Sequence, residues 1–144
     1  MSRSEVALCL FRRGFSCSQS VFAAFAEDQG LDRETALRLS QPFGGGIAAG
    51  GDWCGALTGA FLAVGLKYGR VRPEDAAAKE KTYALVRELI ARFGSRHGAV
   101  RCRDLLGCEI GTPEGSRKAS ELKLHETKCE GLVADAVALL EEIL

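Results

Sequence analysis

"RPEDAAAKEKTYALVRELIARFG", residues 72–94, decides the fold class. Pro73 suits the first turn of a helix, Glu74 and Asp75 complement its positive end, and Gly94 offers a stop. Ala84, Leu85, Leu89 and Phe93 recur at helical spacing and predict the buried side.

The same period extends outward in both directions. "SEVALCLFRRG" (4–14) offers Ser4 as a cap and Gly14 as a stop. "SCSQSVFAAFAEDQG" (16–30) starts with Ser16 as cap and sets Val21, Phe22, Phe25 and Ala26 on one face. In "LDRETALRLS" (31–40), Asp32 caps and Ala36, Leu37 and Leu39 turn inward. "ETKCEGLVADAVALLEEIL" (126–144) closes the chain, with Thr127 and Glu130 spaced as a capping box. Leu132, Val133, Ala136, Val137 and Leu140 form its inner face. A short helix is expected over residues 100–106, and "GCEIGTPEGSRKA" (107–119) reads as a turn-rich connection. No run alternates as a strand would. The expectation is an all-α fold: a single domain spanning 1–144, built as a compact irregular bundle of about six or seven helices.

Bulk composition narrows the function. The chain has 144 residues, 47% of them apolar, with 19 basic and 19 acidic side chains. A net charge of zero removes the general electrostatic case for nucleic acid or an anionic membrane surface. The N-terminal apolar run is short and flanked by charges, unlike a signal peptide. The apolar stretch from Trp53 to Leu66 is too short for a membrane span, so membrane insertion is not expected. The expected compartment is the cytoplasm, where disulfides are disfavoured and cysteines point instead to metal or redox chemistry.

There are six cysteines: Cys9, Cys17, Cys54, Cys102, Cys108 and Cys129. Helix N-termini and nearby cations favour the reactive thiolate. Cys17 follows the cap Ser16, and Cys54 follows a glycine run at the start of a helix expected from about Asp52 to Tyr68. Cys102 lies between Arg101 and Arg103, and Cys129 follows Lys128 just inside the last helix. Cys9 sits among Ala7, Leu8 and Leu10, where packing explains it, and Cys108 falls at a helix end, where the dipole disfavours a thiolate. No CxxC is present, and no CxxCH for c-type haem, so a shared site must be assembled by the fold.

The glycine run "GGGIAAGGDWCGALTG" (44–59) lacks the lysine of a P-loop, and no strand precedes it. Gly51, Gly55, Gly59 and then Ala63 repeat every four residues, a bare stripe that permits close backbone approach. That stripe is expected to pack within the subunit or to serve as a face for homo-oligomer contact.

The chain resembles the C_GCAxxG_C_C family of redox-active proteins. The matching residues are "CSQSV" at Cys17, "FGGGIAAGGDWCGALTGA" around Cys54, "CRDLLG" at Cys102 and "KCEGLVADAVALLEEIL" at Cys129. Cys54, Gly55, Ala56 and Gly59 meet the CGAxxG motif. The resemblance implies a helical fold and a redox role for Cys17, Cys54, Cys102 and Cys129. Cys9 and Cys108 have no place in the motif.

Three readings remain open. Four thiolates suit an Fe–S cluster or another metal, serving electron transfer to a redox partner, with Gly55 and Gly59 letting backbone N–H groups approach the cofactor. Alternatively, two of the four cycle as dithiol and disulfide. The third reading is a non-enzymatic binding or structural module with packed thiols. His97, near a helix end, and His125, four residues before Cys129, are the only histidines available as proton donors.

Overall fold

The computed structural model describes residues 1–144. Eight α-helices follow one another: α1 (Arg3–Arg12), α2 (Cys17–Ala26), α3 (Arg33–Ser40), α4 (Gly55–Tyr68), α5 (Ala76–His97), α6 (Cys102–Leu106), α7 (Pro113–Glu121) and α8 (Glu130–Ile143). A π-helical turn, His125–Cys129, leads directly into α8. No strand forms; Trp53 and Arg101 make one isolated bridge. The fold is all-α, as expected, and the unexpected helix is α7. Thr112 caps α7 by accepting from the Gly115 N–H at 3.0 Å, and Pro113 opens it. Only Gly115 and Ala119 of α7 are buried, so no apolar stripe announces it.

The centre of the bundle is α2. Ser16 and Gln19 form a capping box that starts it at Cys17. It packs against α1, α3, α4 and α8, so all residues from Ser18 to Ala26 are buried rather than one face alone. Its buried hydroxyls must find partners. Ser18 Oγ donates to the Ser40 carbonyl and Ser20 Oγ to the Ser16 carbonyl, each at 2.8 Å.

The close seam of the molecule lies between α2 and α4. A Cβ added at Gly59 would stand 2.6 Å from the Ser18 carbonyl oxygen and 3.2 Å from Val21 Cβ. Only glycine lets the two backbones approach so nearly. Gly55, Gly59 and Ala63 are buried within the chain, so of the two expected uses of this stripe packing within the subunit is the one realised, and the stripe is not free as a homo-oligomer face. Gly51 lies outside the helix at φ +75°, because α4 begins at Gly55 rather than near Asp52.

The outer helices close the core. Asp75 caps α5 by accepting from the Ala78 N–H at 3.1 Å, and the helix runs past Gly94 to a left-handed stop at Gly98. Leu89 and Phe93 are fully buried, whereas Ala84 is exposed. On α3, Ala36 points inward and Leu39 is exposed. The α8 face expected from the sequence is buried at all five positions. Beside this main core a smaller one gathers Cys102, Leu106 and Cys129, with Cys17, Cys108, Phe11, Ile110 and Leu124 packed against it.

Candidate four-cysteine site

The segment before α4 is neither a free linker nor a phosphate loop. Residues 45–49 are all left-handed, with φ of 65°, 77°, 66°, 49° and 61°. The region costs a non-glycine residue about 1–2 kcal/mol, so Ile47, Ala48 and Ala49 are held there by bonds around them. Ala48 N–H reaches the Pro42 carbonyl at 2.8 Å, and Asp52 N–H reaches the Gly46 carbonyl at 2.9 Å. Gly46 is also sterically required, since a Cβ would meet the Asp52 nitrogen at 2.6 Å. The segment is then tied to the start of α6. Cys54 N–H donates to the Val100 carbonyl at 2.9 Å, and Cys102 N–H donates to the Asp52 carbonyl at 2.7 Å. Those two bonds fix Cys54 and Cys102 side by side.

The other two cysteines arrive from opposite ends of the chain. Cys17 is the first residue of α2, which the Gly59 seam draws against the start of α4. Cys129 ends the π turn before α8. All four line one open cavity of about 980 Å³. Cys9 is exposed elsewhere on α1. His97 pairs with Asp135 at 2.8 Å and packs its ring at a tilt against Phe93, with centroids 4.6 Å apart, away from this cavity. Gly55 lines the cavity; Gly59 lies behind it, in the α2–α4 seam.

The thiols sense one another. Burial pushes the Cys54 thiol up to about 11, opposed by the first-turn N–H groups of Ala56 and Leu57. Burial pushes Cys102 up to about 12, and negative charge on Cys54 and Cys129 adds to it. Cys17 and Cys129 act on each other: the neighbouring Cys129 raises Cys17, and Cys17 beside it lowers Cys129. The His125 imidazole and the Lys128 charge lower Cys129 as well, so the thiolate of the pair belongs on Cys129. The same contact raises His125. The site thus pairs one stabilised thiolate with three thiols held protonated.

The source of that thiolate differs from the sequence expectation. Cys129 is not at a capped helix start: Thr127 Oγ1 donates to the Lys123 carbonyl at 2.9 Å instead of capping. A neighbouring thiol and imidazole, rather than a helix dipole, lower Cys129. Cys108 was expected to be background, yet it is half-buried against Cys102, and its charge raises that thiol. Gly107, left-handed at φ +71°, turns the chain back there. It was the sequence signal for this return.

No group of three or more His, Cys, Asp or Glu side chains is placed to hold a metal ion. No helix is long and apolar enough to cross a membrane. Residues 15–143 match the family model described as "Putative redox-active protein (C_GCAxxG_C_C)". No curated protein and no solved structure matches the chain. With the match running from Phe15 to Ile143 and all four motif cysteines on one cavity, the chain belongs to the C_GCAxxG_C_C family of redox-active proteins.

Proposed function

We propose that Cys17, Cys54, Cys102 and Cys129 are the ligands of one iron–sulfur cluster, and that the protein transfers electrons to a redox partner. The observation that carries this reading is the convergence of four thiols, from four separate segments, on one cavity. Four thiolates are the usual complement of a [2Fe–2S] or [4Fe–4S] cluster. Coordination to a cation deprotonates a thiol outright, which is how a cluster would take as ligands the three thiols that the free site holds protonated.

When bound, such a cluster supplies one-electron chemistry. The chain's own residues prepare the place. The Asp52–Cys102 and Cys54–Val100 backbone bonds hold two sulfurs in register. Gly55 presents no side chain beside Cys54, and Leu106 and Leu132 give the cavity an apolar floor. Anaerobic purification tests the reading. A brown protein with a sulfur-to-iron charge-transfer band, lost in Cys54→Ser and Cys102→Ser, supports it; a colourless one overturns it.

A second reading rests on the Cys17–Cys129 contact with His125 beside it. Here the two thiols join as a disulfide, releasing two protons and two electrons to a bound oxidant such as a disulfide substrate. His125 keeps Cys129 as the attacking thiolate. This reading predicts redox cycling that survives Cys54→Ser and Cys102→Ser, and a Cys17–Cys129 disulfide on peptide mapping.

A further inference from the structure

The cavity has more room than four thiols and a cluster require. At about 980 Å³ it reaches the upper end of small-molecule pockets. Phe11, Phe15, Leu105, Ile110 and Leu132 give it apolar walls. Against these walls stand two unusual donors. Every backbone N–H from Ile47 to Asp52 reaches a carbonyl. The N–H groups of Gly45 and Gly46 reach none, and both residues line the cavity. Gly46 is buried, where an unpaired donor costs about 1–3 kcal/mol. These two are the opening residues of the left-handed turn, and their N–H groups are free for the reason that the first N–H groups of any helical turn are free.

Charge narrows the chemistry of what would meet them. Of the charged groups that line the cavity, Arg12 and Glu130 pair with each other at 2.8 Å and the Cys129 thiolate lies beside His125, which leaves the Glu126 carboxylate without a partner. That residual negative charge disfavours an anion. We propose that the cavity binds a small, neutral, largely apolar organic molecule whose carbonyl oxygen accepts from Gly45 and Gly46. The inference deepens the redox reading, on which it rests for one point: the bound molecule then lies against the four cysteines to which that reading assigns the chemistry.

The test compares three probes by calorimetric titration of the anaerobically purified full chain, with iron measured on the same sample. They are 2-acetylnaphthalene, 2-ethylnaphthalene, which has the same shape without the oxygen, and 2-naphthoate. The ketone is expected to bind at least tenfold tighter than the other two, because only it pairs the free donors without adding charge. Ile110→Trp, which fills the cavity beside Gly45, should lower ketone affinity at least tenfold with the thermal transition retained. Equal binding of ketone and hydrocarbon, tightest binding of the naphthoate, or no binding at all overturns the assignment. Ketone selectivity in an iron-free, colourless protein leaves this site standing and removes the cluster. A brown protein indifferent to the ketone does the reverse.

Discussion

Replacing Gly59 by alanine tests the seam that sets Cys17 against Cys54. The new Cβ would lie 2.6 Å from the Ser18 carbonyl oxygen, 3.1 Å from Ser18 Cα and 3.2 Å from Val21 Cβ. Ordinary contact between such atoms needs about 3.5 Å, so α2 and α4 must part by close to 1 Å. The obstacle is helical backbone, which cannot rotate aside as a side-chain tip can. Overpacking of this kind costs about 1–3 kcal/mol, and alanine regains about 1 kcal/mol of helix propensity. With a rigid obstacle the cost sits at the high end, for a net loss of about 1–2 kcal/mol. At this chain length that lowers Tm by about 3–6 °C. Gly65, on the same helix, is the control: it is exposed, and a Cβ there meets nothing within 4 Å. Gly65→Ala should therefore raise Tm by about 2–4 °C. Thermal melting followed by circular dichroism reads both. A Gly59→Ala variant as stable as Gly65→Ala, or more so, refutes the close-approach argument.

Three further outcomes follow from the same structure. Ala48→Gly should raise Tm by about 2 °C, because it releases left-handed strain of about 1–2 kcal/mol against a smaller entropy cost; an unchanged or lower Tm argues against strain at this turn. In iron-free protein, labelling of Cys129 by iodoacetamide should rise with pH around 6, and both Cys17→Ala and His125→Asn should shift that rise to higher pH; a profile unmoved by either change contradicts the contact. Cys54 and Cys102 hold their protons to about 11 and 12, above the ordinary value of 9.0, so the folded state retains protons that the unfolded chain has released. Their stabilisation is fully present below pH 9.0 and lost as pH rises toward 11–12. Iron-free Cys54→Ala and Cys102→Ala should show a flatter alkaline loss than the iron-free parent, and denaturant titrations with the same slope would count against that burial.

Much of the bundle was legible because helix signals are local. Ser16, Asp32 and Asp75 each cap a helix, the first two as the sequence indicated. The inner face of α8 follows from period alone. Legibility failed where tertiary contacts override local preference. Ile47, Ala48 and Ala49 occupy a backbone region that their side chains oppose, and only the bonds to Pro42, Phe43 and Gly44 hold them there. The π turn at His125–Cys129 has no sequence signature, while Thr127 and Glu130 imitate a capping box that does not form. The glycine run carried both kinds of information. Its motif cysteine was visible, but its tie to the start of α6 depends on three backbone bonds between segments far apart in sequence. Cys108 shows the same limit, since its nearness to Cys102 comes from the turn at Gly107 and not from any motif.

The central claim is that four of the six cysteines, and no others, hold one cluster. Iron and acid-labile sulfide per chain, measured in anaerobically purified wild type and in each single Cys→Ser variant, test it most directly. Both elements are expected in wild type, in Cys9→Ser and in Cys108→Ser, with loss of most of both in Cys17→Ser, Cys54→Ser, Cys102→Ser and Cys129→Ser. Wild-type protein free of iron and sulfide, or equal loss across all six variants, would contradict it.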